Sequence, residues 1–204
     1  MRKFLIVFCL FAILTGCGAE PEPESADGTF TDIAGHPMED RILEGLQRGF
    51  YGVPPDGRFR PGEPATRGEF LTALWNLSGR PGDAKTALAW AADAGYPDAA
   101  PDEPITRQEA MSILYAHNGS VGGVEAMLTG IYDSGFRDSG QIPPEGKAAL
   151  YWGFYNVLIR EPEPDMIDPS GTVSRGDMAD IMIRYADTFR GESPENSTEE
   201  ESVQ

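Results

Sequence analysis

One short motif occurs three times along the chain, each time at the start of a stretch with helical periodicity. Its copies are Thr66-Arg67-Gly68-Glu69, Thr106-Arg107-Gln108-Glu109 and Ser174-Arg175-Gly176-Asp177. In each copy the apolar residues that follow recur at spacings of three and four, which indicates one buried face of an α-helix. The hydroxyl residue and the acidic residue three positions later form the capping-box pattern that begins a helix. The sequence therefore predicts three equivalent amphipathic helices.

A second helical segment precedes each copy of the motif. These segments cover residues 41–49, 87–95 and 149–157. Between each segment and the next capping hydroxyl lie 16, 10 and 16 residues, so the second loop is shorter by about six. Internal repetition of this kind is typical of domains that stack copies of one unit. We therefore predict an all-α fold of three helix–loop–helix repeats, at 29–80, 81–120 and 121–190.

The first residues have the pattern of a bacterial lipoprotein signal. Two basic residues precede an uninterrupted apolar run at 4–14. This run is too short to span a bilayer, which takes about 20 residues, and it fits the core of a signal peptide. The string Leu14-Thr15-Gly16-Cys17 matches a lipobox, in which small residues precede the lipid-bearing cysteine. We expect residues 1–16 to be removed and Cys17 to carry acyl chains such as palmitate; an ordinary secretory signal is the alternative.

The segments that flank the repeats are polar and acidic. Residues 17–28 are rich in Pro and Glu, which predicts an extended linker between the lipid and the domain. Residues 191–204 contain five Glu and no Lys or Arg, which predicts a disordered acidic tail. The whole chain has 16 Lys and Arg against 33 Asp and Glu, a net charge of −17. This balance argues against nucleic acid or an anionic lipid surface as the main partner.

The three units together resemble the S-layer homology family, over roughly residues 29–189. The resemblance rests on a Phe-x-Asp start at Phe30 that recurs at Phe136, on an Asp-Gly-x-Phe loop at 56–59, and on the Thr-Arg-x-Glu motif. It is complete in the first unit, clear in the third and truncated in the second. It implies a bundle with pseudo-threefold symmetry whose loops point outward. It also implies an extracytoplasmic protein that binds secondary cell-wall polysaccharide, typically with pyruvylated sugars.

The arginine of each motif is the predicted binding residue. A helix N-terminus favours anions because its first amides lack partners, and a guanidinium group can hold a carboxylate through two hydrogen bonds. We therefore predict glycan binding at Arg67, Arg107 and Arg175, a role that the resemblance also implies. The alternative is that each arginine is solvated or paired with a nearby acid. Arg67 ranks first because its loop is complete, and Arg107 ranks last because its loop is short.

Four further residues are candidates for sugar contacts. They are Asp56, Gly57, Trp90 and Trp152. For the two tryptophans, packing within a helix is the alternative. The chain has only two Cys and two His, which argues against a zinc site or a Cys–His nucleophile pair. No pair of carboxylates stands out for glycoside hydrolysis. We expect a protein that is not an enzyme and that uses no cofactor or metal.

Two functions are compatible with these patterns. The first is a monomeric, non-catalytic envelope lipoprotein, held to the membrane by its N-terminal lipid, whose three-repeat domain binds anionic secondary cell-wall polysaccharide. The second is a structural or protein-interaction lipoprotein that kept the fold but no longer binds glycan. The shortened second loop favours the second function.

Overall fold

The computed structural model describes residues 30–80, 83–94, 96, 100–119, 130 and 135–191. The predicted signal peptide, Cys17, the linker and residues 192–204 of the tail lie outside this part of the chain. Six α-helices are defined within it: α1 (Glu39–Gln47), α2 (Arg67–Leu77), α3 (Ala84–Asp93), α4 (Arg107–His117), α5 (Pro144–Tyr155) and α6 (Arg175–Phe189).

The predicted all-α class is confirmed. Among the described residues, β structure is limited to isolated bridges between loops, and one 3-10 turn precedes α5. None of the described helices is long and apolar enough to cross a membrane.

The helices that carry the motif begin where the capping residues predict. At Thr66–Glu69 and Thr106–Glu109 both hydrogen bonds of the capping box are present. At the third start, the Asp177 amide donates to Ser174 Oγ over 3.0 Å, but the return bond to the backbone is not formed. The Asp177 carboxylate instead accepts from the Ser174 hydroxyl, at 2.7 Å. Aspartate is one methylene shorter than glutamate, so α6 begins with half of a capping box.

Each motif helix packs against the first helix of the next unit, and the series closes on itself. The packed pairs are α2 with α3, α4 with α5, and α6 with α1. The closing pair is joined by ion pairs between Arg48 and Asp187, at 2.7 Å, and between Arg41 and Asp180, at 3.4 Å. Packing and two ion pairs therefore hold α1 and α6 together.

Three backbone hydrogen bonds form a closed ring at the centre of the molecule. The Ala65 amide donates to the Val173 carbonyl over 2.8 Å, Val173 donates to Ile105 over 3.0 Å, and Ile105 donates to Ala65 over 2.9 Å. Each of these residues directly precedes a motif, and all three are buried. A ring of three like bonds between like positions defines a pseudo-threefold axis, around which the starts of α2, α4 and α6 are arranged.

The aspartate of each Phe-x-Asp start holds the loop of its own unit. Asp32 accepts hydrogen bonds from the amides of Phe59 and Arg60, both at 2.8 Å. In the third unit, Asp138 accepts from the amides of Ile167 and Asp168, at 3.1 and 2.8 Å. The first and third loops are thus folded by the same pair of contacts.

Candidate anion-binding groove

Two of the three motif arginines are tied to glutamates of a neighbouring unit. Arg67 Nη2 lies 2.6 Å from Glu109 Oε1, and its Nη1 lies 2.7 Å from Glu103 Oε2. Arg175 repeats the arrangement with Glu69 at 2.7 Å and Glu63 at 3.0 Å. These bonds, chiefly those to the Glu109 and Glu69 side chains, raise the pKa of both arginines above the ordinary value.

The first amides of the motif helices are also occupied. In α2 the Arg67 amide donates to the Glu103 carbonyl over 3.0 Å, and the Gly68 amide donates to Pro101 over 2.8 Å. Loop carbonyls of a neighbouring unit accept the corresponding amides of α4 and α6. The expectation that these helix starts present unpaired amides to a ligand is therefore wrong, because packing of the units around the axis satisfies the donors internally.

Arg107 differs from the other two arginines. Its Nε donates to the Ile167 carbonyl over 2.8 Å and its Nη2 to the Arg160 carbonyl over 2.7 Å. Within the described ranges it forms no ion pair. In the third unit Gly171 stands where the other units have Glu63 and Glu103. The shorter Asp177 stands where they have Glu69 and Glu109. Burial lowers the pKa of Arg107, and nearby carboxylates, including that of Asp177, oppose this effect.

A groove of about 540 Å³ opens beside the first loop. It lies between residues 50–60, α2, the start of α3 and the start of α6. Three arginines line it, and its apolar side includes Tyr51 and Leu88. The arginines are Arg58, Arg60 and Arg175. A second groove of about 400 Å³ shares Arg58 and Arg60. The first groove is also lined by the acidic residues Glu69 and Asp102, and the second by Asp32 and Glu63.

Asp56 and Gly57 shape the loop and do not line the groove. The Asp56 carboxylate pairs with the Arg60 guanidinium and accepts a hydrogen bond from the Arg58 amide at 3.1 Å. Gly57 is buried and has a positive φ of 67°, a conformation that glycine adopts without strain. Its carbonyl accepts from the Thr31 amide over 2.8 Å. Both candidates therefore act on the groove through the loop backbone.

Neither candidate tryptophan lies in the groove. Trp90 is half-buried, with its ring centroid 5.4 Å from those of Trp75 and Tyr96. Trp152 is only 3 % exposed and packs against Tyr115 and Phe189 at centroid distances of 5.4 and 5.2 Å. Trp152 is a core residue here and presents no ring face to a sugar.

The sequence analysis missed Arg58 and Arg60, which bring most of the positive charge to the groove. The signal was present, because two arginines flank Phe59 within a chain of net charge −17. Among the described residues, no group of three or more His, Cys, Asp or Glu side chains is placed to hold a metal ion.

A family model of the S-layer homology domain matches residues 29–71. The matched segment contains α1, the first loop with its two arginines, and the start of α2. No curated protein matches the chain significantly. S-layer homology domains generally mediate binding to cell-wall polymers, so the match indicates an extracytoplasmic protein associated with the cell envelope.

Proposed function

We propose that this chain is a non-catalytic envelope lipoprotein whose helical domain binds an acidic cell-wall polysaccharide in the groove of its first unit. The observation that carries the proposal is the convergence of Arg58, Arg60 and Arg175 on one groove. About half of the residues that line this groove, including Arg58 and Arg60, lie in the segment that the S-layer homology domain matches.

The groove has the chemistry that a carboxylate on a sugar ring requires. A guanidinium group binds a carboxylate through two parallel hydrogen bonds, and an aromatic ring such as that of Tyr51 packs on the apolar face of a sugar. The Arg60–Asp56 pair is partly exposed, with side-chain exposures of 35 and 40 %. Such pairs contribute little stability, so exchange of Asp56 for a ligand carboxylate costs little. A pyruvyl ketal, with its carboxylate fixed to the ring, fits this description.

The three motif arginines have different roles in the proposed binding. Arg175 borders the groove while it remains paired with Glu69. Arg67 holds two units together. Arg107, which has no ion pair in the described part of the chain, remains a candidate for a second carboxylate contact.

A structural or protein-interaction lipoprotein is the second candidate function. The internal ion pairs of Arg67 and Arg175 favour it, because each arginine already has a structural partner. The short second loop, which leaves only the first and third loops at full length, also favours it.

Co-sedimentation with purified cell walls tests the glycan proposal. We expect the double variant Arg58→Gln/Arg60→Gln to bind walls at least about tenfold more weakly, since two charge-assisted contacts are lost. Its melting temperature should stay close to that of the original chain. The matched control is Arg137→Gln/Arg160→Gln, which removes the same charge outside the groove and should bind normally.

Two results would contradict the proposal in different ways. Undiminished binding of the Arg58/Arg60 variant would place the glycan elsewhere on the domain. Failure of the original chain to sediment with intact walls, or equal sedimentation after the secondary polymer has been stripped, would favour the structural function.

The lipid anchor is tested separately. We expect a chain expressed in a lipoprotein-processing bacterium to incorporate labelled palmitate, and Cys17→Ser to abolish the label, because Cys17 supplies the only thiol outside the predicted signal peptide. Labelling is measured by fluorography of the immunoprecipitated protein. Persistent label in Cys17→Ser would remove the anchor from the proposal.

A further inference from the structure

The far ends of the three motif helices meet in a polar and aromatic cluster. His117, at the end of α4, contacts residues from the ends of both other helices. Its Nε2 lies 3.1 Å from Ser78 Oγ, just beyond α2, and its Nδ1 lies 2.7 Å from the Tyr185 hydroxyl of α6. We call this region, with Arg80, Arg190, Trp75, Trp90 and Tyr96, the C-terminal pole.

Two arginines of this pole have no ion pair within the described residues. The Arg80 guanidinium carbon lies 5.3 Å from the ring centroid of Trp75 and 5.4 Å from that of Trp90. Arg190 lies over the Tyr185 ring at 5.6 Å, and its Nη2 is 2.7 Å from His117 Nδ1. The same Nη2 of Arg190 also donates to the Tyr185 hydroxyl over 3.1 Å. Cations near helix C-termini are favourable, and among the described residues neither guanidinium group meets a carboxylate.

Arg80 and Arg190 differ in this respect from most other arginines of the described part of the chain. Arginines elsewhere are paired with carboxylates, among them Arg41, Arg48, Arg60, Arg67, Arg137, Arg175 and Arg184. In a chain with twice as many acids as bases, a pair of cations that meets no carboxylate among the described residues marks a place where an anion is favoured.

Two further observations support an external partner. Burial, together with Arg190 and Arg80, lowers the pKa of His117 to about 4, so the imidazole is neutral at pH 7 and leaves the positive charge on the arginines. The indole Nε1 of Trp75 is buried and has no acceptor among the described residues. The pole thus combines two cations, an unsatisfied donor and partly exposed aromatic rings.

We infer that the C-terminal pole is a second binding site, in which Arg80 and Arg190 hold the carboxylate of an acidic sugar beside the rings of Trp90 and Tyr96. The choice of a saccharide rests on the proposed function, whereas the carboxylate chemistry does not. Arg80 and Arg190 follow the ends of α2 and α6, whereas Arg175 of the first groove lies at the start of α6. The first groove itself extends along α2 as far as Asn76. A polymer with repeated acidic groups would gain avidity by contacting both.

The two histidines of the chain allow a direct test by NMR. We expect D-glucuronate, titrated into the soluble domain with its tail, to shift the side-chain resonances of His117 and to raise its titration midpoint, because a bound carboxylate adds negative charge beside the imidazole. A response of His36 alone, which lies close to Gly176 beside the first groove, would place the binding in that groove and contradict the inference. Acetate should act only at higher concentration, and D-glucose should not raise the midpoint. Equal potency of acetate and glucuronate would overturn the saccharide assignment, and absence of any His117 response would overturn the site.

Variants separate this site from the first groove. Arg80→Gln and Arg190→Gln should each weaken the glucuronate response of His117 about tenfold, while Arg137→Gln leaves it unchanged. Arg58→Gln/Arg60→Gln should also leave it unchanged, whatever that variant does to wall binding. An unaltered response in both Arg80→Gln and Arg190→Gln would contradict the inference.

Discussion

Replacement of Asp138 by alanine is expected to lower the free energy of unfolding by about 3 kcal/mol, because one buried and one partly buried amide lose a charged acceptor at once. The Asp138 carboxylate is part of a residue only 5 % exposed, and it accepts from the Ile167 and Asp168 amides at 3.1 and 2.8 Å. Alanine offers no acceptor for these amides. Urea denaturation followed by circular dichroism measures the loss.

The first unit provides a matched control. Asp32 makes the same two contacts, with Phe59 and Arg60, but the residue is exposed. Water can solvate the amides that Asp32→Ala releases, so this variant should lose only about 1 kcal/mol. Equal losses in the two variants would show that burial does not decide the strength of this loop contact, and a loss below about 1 kcal/mol for Asp138→Ala would contradict the prediction.

Arg67→Ala is expected to destabilise the domain by about 2 kcal/mol, since it leaves Glu109 without its cation at the junction of two units. The Arg67 side chain is only 14 % exposed, and Glu109 is 30 % exposed. Alanine also removes the packing of the arginine stem. Thermal and urea unfolding measure the change.

Arg137→Ala is the control for this prediction. Arg137 pairs with Glu163, but both side chains are more than half exposed, so the loss should stay within about 0.5 kcal/mol. If Arg67→Ala unfolds at the same urea concentration as the original chain while wall binding falls, the arginine is a ligand-binding residue and its ion pairs are secondary.

The sequence was sufficient to predict the helices, because their determinants are local. The segments predicted at 41–49, 87–95 and 149–157 overlap α1, α3 and α5. The capping residues Thr66, Thr106 and Ser174 immediately precede α2, α4 and α6. A hydroxyl and an acid three residues apart act within one turn, so their effect can be judged without knowledge of the fold.

The candidate site was harder to predict, because its determinants come from distant parts of the chain. Arg67 meets Glu109 across 42 positions and Arg175 meets Glu69 across 106. A ranking based on loop length placed Arg67 first and Arg107 last, whereas the structure pairs Arg67 with two acids and leaves Arg107 bonded to carbonyls. Periodicity likewise shows that Trp152 belongs to a helix, but its burial against Phe189 depends on how α5 meets α6.

The packing of α6 against α1 has a consequence for biosynthesis. A ribosome makes α1 before α6. Ile42 of α1 packs early with Phe30 and Phe59, but its contact with Ala179 of α6 forms only after the last helix has emerged. A nascent chain stopped before α6 therefore lacks the packing of α6 on α1 and the central hydrogen bonds of Val173. Such late completion suits the export signal predicted at residues 1–16, because a secretory channel admits a polypeptide that has not yet folded.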